Sequence, residues 1–87
     1  MPKVELYGSA QLLAGRRSLD IPGDTLGDTL RNLAAEVPAL IGTVLEPDGQ
    51  LTPAYTVNLN GLRFVRRLQE PVTASDEVLI LSSLSGG

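Results

Sequence analysis

The sequence predicts an α+β domain in which one mixed sheet of four or five strands carries one main helix on one face. Apolar residues alternate with polar residues over residues 3–7 and again over residues 55–59, which is the period of a β-strand. Between these segments the apolar period lengthens to that of an α-helix. The 87 residues are enough for one small domain, residues 1–87, and no repeat or linker divides them. Strands on both sides of a single helix therefore favour one sheet with the helix across it.

The first part of the chain contains two predicted strands. Residues 3–7 alternate and form the opening strand. Residues 11–15 are compatible with one helical turn, and residues 18–21 form a second strand that ends at Pro22. The side chains expected to face the core are Val4, Leu6, Leu19 and Ile21.

Residues 24–37 are predicted to contain the main helix. Thr25 is the expected N-cap, and Asp28 stands in the capping-box position of the first turn. Pro38 predicts that the helix ends near residue 37, because proline disfavours a helical conformation in the residue before it. The apolar stripe expected to face the sheet is Leu26, Leu30, Leu33, Ala34 and Val37.

The second half of the chain is predicted to return to strands. Residues 39–41 suggest a short turn of helix, and residues 46–49 carry a turn signal. Residues 55–59 alternate again, and the Asn-Gly pair at 60–61 predicts a hairpin into residues 62–65. A last strand, apolar on both faces, is expected over residues 77–81.

The last strand predicts a docking surface. If its alternate residues face the helix, Leu79 and Leu81 face away from it, next to Tyr7 if the first and last strands are neighbours. An exposed apolar patch at this place is typical of a protein-binding surface. The alternative is that residues 39–53 fold over the patch and bury it.

Charge and composition exclude several classes of function. The net charge of −3 disfavours DNA or RNA as a partner, because nucleic-acid-binding proteins normally present a basic face. Arginines cluster at residues 16–17 and 63–67, as solvated surface charge or as a docking site for an acidic partner surface. With no cysteine, no signal peptide and no long apolar run, the expected location is the cytoplasm, and no membrane partner is predicted.

A self-contained active site is not predicted. The chain has no histidine and no cysteine, and no glycine-rich phosphate loop follows a strand. A Ser-His-Asp arrangement is therefore impossible. Carboxylates such as Asp24, Asp28, Asp76 and Glu77 are better explained as cap and turn residues than as an acid/base pair.

The group placed most unusually for chemistry is the carboxylate of Gly87, at the end of a predicted flexible tail over residues 82–87. Such a tail reaches at most about 20 Å beyond the sheet. Because Gly86 and Gly87 have no Cβ, a narrow channel of a partner enzyme could admit them. The alternative is a frayed end or a cloning remnant without function.

Taken together, the chain resembles MoaD/ThiS-type sulfur carriers, which have the ubiquitin-like β-grasp fold. The resemblance covers essentially the full length and rests on residues 3–7, 23–26, 57–61 and 76–78 and on the final Gly86-Gly87. The entry into the last strand and the terminal Gly-Gly are its specific part. The family usually has Gly-Asp where this chain has Ser75-Asp76. It usually has Pro-Pro-Val where this chain has Ser82-Ser83-Leu84. The second departure leaves the subfamily open.

The resemblance implies a cycle of activation and sulfur transfer. An ATP-using activating enzyme of the MoeB/ThiF type would adenylylate Gly87, and a sulfur donor would then convert it to a thiocarboxylate. A second enzyme, with the MoaE-type large subunit of molybdopterin synthase as first choice, would accept the sulfur. The chain itself is expected to bind no cofactor, because ATP is used by the activating partner. A ThiS-like carrier, a carrier for cysteine synthesis, a β-grasp interaction module and a ubiquitin-like modifier of lysines are the alternatives.

Overall fold

The computed structural model describes residues 1–83, which form five strands and two α-helices. In chain order the elements are β1 (Lys3–Leu6), α1 (Ser9–Ala14), β2 (Ser18–Asp20), α2 (Leu26–Glu36), a 3-10 turn (Pro38–Leu40), β3 (Tyr55–Leu59), β4 (Arg63–Val65) and β5 (Glu77–Ser82). The predicted strands and the main helix are present, with small shifts at their ends. The short helical turn predicted at 11–15 is α1, which begins two residues earlier. The predicted α+β class is confirmed.

The strands form one mixed sheet in the order β2-β1-β5-β3-β4. Strands β1 and β5 run parallel, and the other neighbouring pairs are antiparallel. The last strand of the chain therefore occupies the centre of the sheet, where Ile80 lies between Leu6 and Val57. Tyr7 continues the parallel pairing by donating its N–H to the carbonyl of Ile80 at 3.1 Å. The predicted patch of Tyr7, Leu79 and Leu81 required the first and last strands to be neighbours, and this condition is met.

One face of the sheet forms the core together with α2. The residues predicted to face inward from the first two strands and from the helix are all buried: Val4, Leu6, Leu19, Ile21, Leu26, Leu30, Leu33, Ala34 and Val37. Val78 and Ile80 of β5 are fully buried in the same cluster. Each large aliphatic side chain buried in this way contributes about 1.5–3 kcal/mol to the free energy of folding.

The ends of α2 follow from local sequence. Thr25 is the N-cap, and the N–H of Asp28 donates to Thr25 Oγ1 at 3.1 Å, as predicted. The N–H of Gly27 donates to the carbonyl of Leu68 at 2.9 Å. A Cβ at position 27 would lie 3.2 Å from Leu68 Cβ, so glycine permits this close approach. The helix ends two residues before Pro38, because proline disfavours a helical residue 37.

The long segment between α2 and β3 packs on the core side of the sheet. Leu40, Val44 and Leu45 are fully buried in the same hydrophobic cluster as the inward residues of the strands. Because these side chains pack on the face of the sheet that α2 covers, the segment does not cover the opposite face of β5. The alternative prediction, that residues 39–53 bury the outward leucines of the last strand, is therefore wrong.

Two further properties concern residues 1–83 only. Neither helix in this part of the chain has the length and the apolarity that crossing a membrane requires. The same residues contain no group of three or more His, Cys, Asp or Glu side chains arranged to hold a metal ion.

Candidate functional site

The candidate site begins where β5 ends. Sequence analysis placed the start of the tail at residue 82, but Ser82 is the last residue of β5. Ser83 in turn donates its N–H to the carbonyl of Ala54, just before β3, at 2.8 Å. Backbone pairing needs no apolar side chain, so Ser82 extends the strand and Ser83 adds one more backbone hydrogen bond, although their pattern does not predict it. Gly86 and Gly87, the residues predicted to carry the chemistry, lie outside the described residues.

The three predicted docking residues lie together on the face of the sheet that α2 leaves open. Tyr7, Leu79 and Leu81 line one shallow hollow, to which Asn58 and Gly61 also contribute. We call these five residues the open-face patch. Both leucines are half-buried, because their neighbours on adjacent strands cover part of each side chain. The apolar run of β5 is thus fully buried on one face only.

Sequence analysis missed the part of this surface that β3 and β4 contribute. Asn58 lies in register between Leu79 on β5 and Phe64 on β4, and the Phe64 side chain is 59% exposed. The side-chain oxygen Oδ1 of Asn58 is buried without a hydrogen-bond partner among residues 1–83. A period-two count from the buried Val57 places Asn58 and its partner Phe64 on the outward face. The signal was therefore present in the sequence.

Polar groups border the patch at Tyr7. The Tyr7 hydroxyl donates to Glu5 Oε2 at 3.3 Å, and the Arg17 guanidinium lies 5.9 Å from the centre of the Tyr7 ring. The N–H of Leu6 donates to the carbonyl of Arg17 at 2.7 Å, which fixes the backbone of this arginine beside β1. One of the two arginine clusters found in the sequence therefore adjoins the patch.

The other arginine cluster is partly neutralised within the chain. Arg63 forms an ion pair with Glu70 at 2.5 Å. The hydrogen bond from Arg63 lowers the pKa of the Glu70 carboxyl below its ordinary value, so this partner stays ionised. Within this cluster, Arg63 is therefore less available to pair with an acidic surface of a partner protein.

The predicted Asn-Gly hairpin turn connects β3 to β4 near the patch. Asn60 and Gly61 both adopt left-handed backbone conformations, with φ of 61° and 73°. The N–H of Leu62 donates to the carbonyl of Leu59 at 3.0 Å, which completes a type I′ turn. The first strand pair after the turn is Leu59 with Arg63, so the connection contains Leu62 in addition to the two turn residues.

Asn60 also holds the start of β5. Its N–H donates to the carbonyl of Glu77 at 2.8 Å, and its Oδ1 accepts the N–H of Glu77 at 2.7 Å. Asp76 accepts the N–H of Thr73 at 2.8 Å and the side-chain amide of Asn60 at 3.0 Å. The Thr73 N–H, followed by the Asn60 amide, lowers the pKa of the Asp76 carboxyl. This network ties the hairpin turn to the entry of the strand that carries the patch.

The Asp76→Ala substitution is expected to lower stability at neutral pH and to lose this effect in acid. Ionised Asp76 is the acceptor of both bonds, and because its pKa is lowered by folding, its contribution is present above the unfolded pKa. The contribution is lost as pH falls through the folded pKa. The loss at pH 7 is expected to be only about 1 kcal/mol, because Asp76 is partly open to solvent, which screens its charge.

Urea unfolding of wild type and variant at pH 7 and near pH 2 measures this difference. Glu77→Ala is the matched control, because it removes a neighbouring exposed carboxylate whose side chain accepts none of the bonds of this network. An Asp76→Ala deficit of the same size at both pH values would contradict the assignment.

Comparison with known proteins gives relatives over the whole chain, although no protein-family model matches it. Small archaeal modifier protein 1 of Haloferax volcanii is 35% identical over 86 residues, covering 95% of this chain and 97% of that protein. A crystal structure of that protein has a TM-score of 0.77 at 34% identity, covering 98% of this chain and 97% of the other.

Two further structures extend the comparison. The solution structure of small archaeal modifier protein 1 from Methanosarcina acetivorans has a TM-score of 0.82 at 29% identity and covers 98% of this chain and 94% of the other. A chain of the Amycolatopsis orientalis BexX/CysO complex has a TM-score of 0.79 over the full length of both chains at 20% identity, a likeness of fold alone. The predicted β-grasp architecture is confirmed by these structures.

Proposed function

Because this chain belongs to the small archaeal modifier proteins, which are MoaD/ThiS-type ubiquitin-like sulfur carriers, we propose that it carries sulfur as a thiocarboxylate on Gly87. The observation that supports this most directly is the junction at the end of β5. Sheet pairing continues to Ser82, a backbone hydrogen bond to Ala54 holds Ser83, and the open-face patch includes Leu81 of the same strand. A partner enzyme that binds the patch therefore also meets the base of residues 84–87.

The proposed chemistry needs a partner to activate the carboxylate. An ionised carboxylate is a poor electrophile, because its negative charge repels nucleophiles. In the proposed first step a Gly87 oxygen attacks the α-phosphorus of ATP, and pyrophosphate leaves. A sulfide-level donor then attacks the carbonyl carbon, the bond to AMP breaks, and a thiocarboxylate results. The ATP is bound and used by an activating enzyme of the MoeB/ThiF type in the cytoplasm, and this chain needs no cofactor of its own.

The open-face patch is the proposed docking surface for that activating enzyme. Its leucines supply apolar area, and Arg17 beside Tyr7 supplies a positive charge at the border. The Oδ1 of Asn58, which has no hydrogen-bond partner within residues 1–83, adds a polar requirement, since a partner that covers the patch gains by bringing an N–H or O–H donor to it. We propose that this amide makes binding selective among partners that share an apolar surface.

The proposed sulfur acceptor is a MoaE-type subunit, which would place the chain in molybdopterin synthesis. Thiazole formation and cysteine synthesis use the same thiocarboxylate chemistry and differ only in the acceptor. The chain of the BexX/CysO complex shares this fold, and that complex shows a protein of this architecture assembled with a partner. The same tail and patch are compatible with any of these acceptors. The pathway is therefore defined by the enzyme that takes the sulfur.

Intact-mass spectrometry of protein purified from its own cells tests the proposal. A fraction of the molecules is expected to be heavier by the replacement of one oxygen with sulfur, and fragmentation should map this change to Gly87. Alkylation with iodoacetamide, which labels a thioacid in a chain without cysteine, provides an independent check. Repeated absence of the heavier species in cells that hold an activating enzyme and a sulfur donor would favour a plain interaction module.

A second function, attachment to lysines of other proteins, is favoured by the relatives in Haloferax volcanii and Methanosarcina acetivorans, which are named modifier proteins. The two functions share the adenylylated Gly87 and differ in the nucleophile that takes it. A sulfur nucleophile gives the thiocarboxylate, whereas a lysine amine gives an isopeptide bond. Conjugates on other proteins in the same cells would support this function.

A further inference from the structure

The hairpin turn at Asn60 and Gly61 is also the dipeptide in which asparagine most readily loses its side-chain amide. In this reaction the backbone nitrogen of the following residue attacks the side-chain carbon Cγ, and a following residue without Cβ leaves the approach unhindered. The chain has two other asparagines, Asn32 and Asn58, and each is followed by leucine, whose side chain hinders the attack. Asn60 is therefore the asparagine of this chain that is most susceptible to the reaction.

Both reacting groups lie at the surface of the protein. Asn60 and Gly61 are exposed to solvent. The N–H of Gly61, whose nitrogen becomes the nucleophile when it loses its proton, takes part in no hydrogen bond found among residues 1–83. Neither burial nor pairing of the nucleophile therefore protects Asn60.

The conformation of the turn opposes the reaction. The five-membered ring that forms requires Gly61 N and Asn60 Cβ on the same side of the Asn60 Cα–C bond. Asn60 has a φ of 61° in a type I′ turn, for which ψ is about 30°. At this ψ the two atoms lie nearly opposite each other across the bond. The turn must therefore open before Gly61 N can reach Cγ.

The Asn60 side chain is held at both of its polar atoms. Its NH2 group donates to Asp76 Oδ1 at 3.0 Å, and its Oδ1 accepts the N–H of Glu77 at 2.7 Å. Asp76 is fixed in turn by the N–H of Thr73 at 2.8 Å. A hydrogen bond to an ionised carboxylate is stronger than one between neutral groups. These contacts hold Asn60 in the turn and keep its Cγ away from Gly61 N.

We propose that Asn60 is a site of spontaneous deamidation, gated by its hydrogen bonds to Asp76 and Glu77, and that loss of its amide loosens the entry into β5. When the turn opens, the deprotonated Gly61 N attacks Cγ, a C–N bond forms, the bond from Cγ to Nδ2 breaks, and ammonia leaves. Water then adds to one carbonyl carbon of the ring, and the bond from that carbon to Gly61 N breaks. Addition at Cγ gives aspartate, and addition at the main-chain carbon gives isoaspartate. Nothing is oxidised or reduced.

Either product breaks the network at the start of β5. A carboxylate at position 60 has no N–H to donate, and it faces the Asp76 carboxylate where a hydrogen bond of 3.0 Å had been. Arg63, whose charge acts on Asp76, is already paired with Glu70 and cannot serve the new carboxylate without leaving it. Isoaspartate also adds one carbon to the main chain of a tight turn. Because Gly61 lines the open-face patch, these changes lie at the border of the patch.

Timed incubation of the folded protein tests the gate. Wild type and Asp76→Ala are held at mildly alkaline pH, and mass spectrometry of the tryptic peptide of residues 32–63, which contains all three asparagines, locates any replacement of NH2 by OH. We expect Asp76→Ala to lose the Asn60 amide about tenfold faster or more, the change in open population that loss of one hydrogen bond to a charged group produces. Wild type unfolded in urea should react faster than either. Equal rates in folded wild type and variant, or reaction at Asn32 or Asn58 instead, would overturn the proposal.

Thr25→Ala separates release of Asn60 from a general loss of stability. This substitution removes the N-cap of α2, an effect on stability similar to that expected for Asp76→Ala, and it changes none of the contacts of Asn60. We expect the Asn60 amide to survive in this variant about as long as in wild type. Loss at the rate seen in Asp76→Ala would mean that global unfolding exposes Asn60, and the gate would be refuted.

An exchange of the two side chains tests the effect on β5. Asn60→Asp, which reproduces one of the products, is expected to lower the melting temperature. Adding Asp76→Asn places an amide opposite the new carboxylate and restores the hydrogen bond with its direction reversed, so we expect most of the loss to be recovered. A double variant no more stable than Asn60→Asp would overturn the proposed loosening. These measurements need neither an activating enzyme nor a sulfur donor, so their failure would leave the proposed function untouched.

Discussion

Deletion of Gly86 and Gly87 is expected to abolish activation of the chain while leaving its melting temperature unchanged. In the proposed cycle, activation requires the Gly87 carboxylate and the two residues without Cβ that let it enter a narrow channel. Stability depends on the hydrophobic cluster, which within residues 1–83 extends to Ile80. Because glycine has no apolar side chain, the deletion removes the reacting group and no hydrophobic side chain.

ATP–pyrophosphate exchange with the cognate activating enzyme measures the first effect, and thermal unfolding measures the second. Deleting Leu84 and Ser85 instead is the matched control, because it shortens the chain by the same length and keeps the terminal pair. Partial exchange with the control, together with no exchange after deletion of Gly86 and Gly87, would assign the activity to the terminal Gly-Gly pair. Normal exchange by the truncated chain would end the carrier proposal.

Leu81→Asp is expected to weaken binding of the activating enzyme by about 2–4 kcal/mol, roughly a 30- to 1,000-fold loss of affinity. The substitution removes a leucine side chain from the centre of the proposed interface. It also places there a carboxylate that loses its hydration when the partner covers it. The stability of the free protein should fall by at most about 1 kcal/mol, because Leu81 is half-buried on the open face and contributes little to the core.

The neighbouring residue provides a control with the opposite pattern. Ile80 is fully buried on the other face of the same strand. Ile80→Ala is expected to cost about 2–5 kcal/mol of stability and to leave the affinity of the folded fraction unchanged. Affinity by titration calorimetry and unfolding by temperature separate the two variants. A collapsed melting temperature for Leu81→Asp would mean that the patch belongs to the core, and the docking proposal would fail.

The sequence predicted those features that depend on local pattern. The helical stripe and its cap at Thr25 follow from side-chain spacing and from one hydroxyl, and both are found in place. The left-handed turn at Asn60 and Gly61 follows from the few residue types that tolerate positive φ. The prediction that Tyr7, Leu79 and Leu81 lie together is correct, because alternation along a strand assigns each residue to one face of the sheet.

The features that the sequence did not predict depend on neighbours distant in the chain. Ser82 extends β5 because it pairs with Tyr55 of β3, and Ser83 is held by the carbonyl of Ala54; no side-chain pattern encodes these neighbours. The packing of residues 39–53 was left open for the same reason, since apolar residues in an irregular segment do not state which face they cover. Asn58 was not included in the predicted patch, because its place beside Leu79 depends on the pairing of β3 with β5, although its outward direction was predictable.

The position of β5 has a consequence for biosynthesis. The pair β2-β1 and the pair β3-β4 have no direct contact in the sheet, and β5 alone joins them. Because β5 follows the other four strands in the chain, a nascent chain cannot assemble this sheet until residues 77–82 have been made. A chain that stops before β5, or one trimmed by a protease into β5, lacks both the joined sheet and Leu79 and Leu81 of the patch. The order of the strands thereby acts as a quality check, since only molecules that include β5 present a folded surface to an activating enzyme.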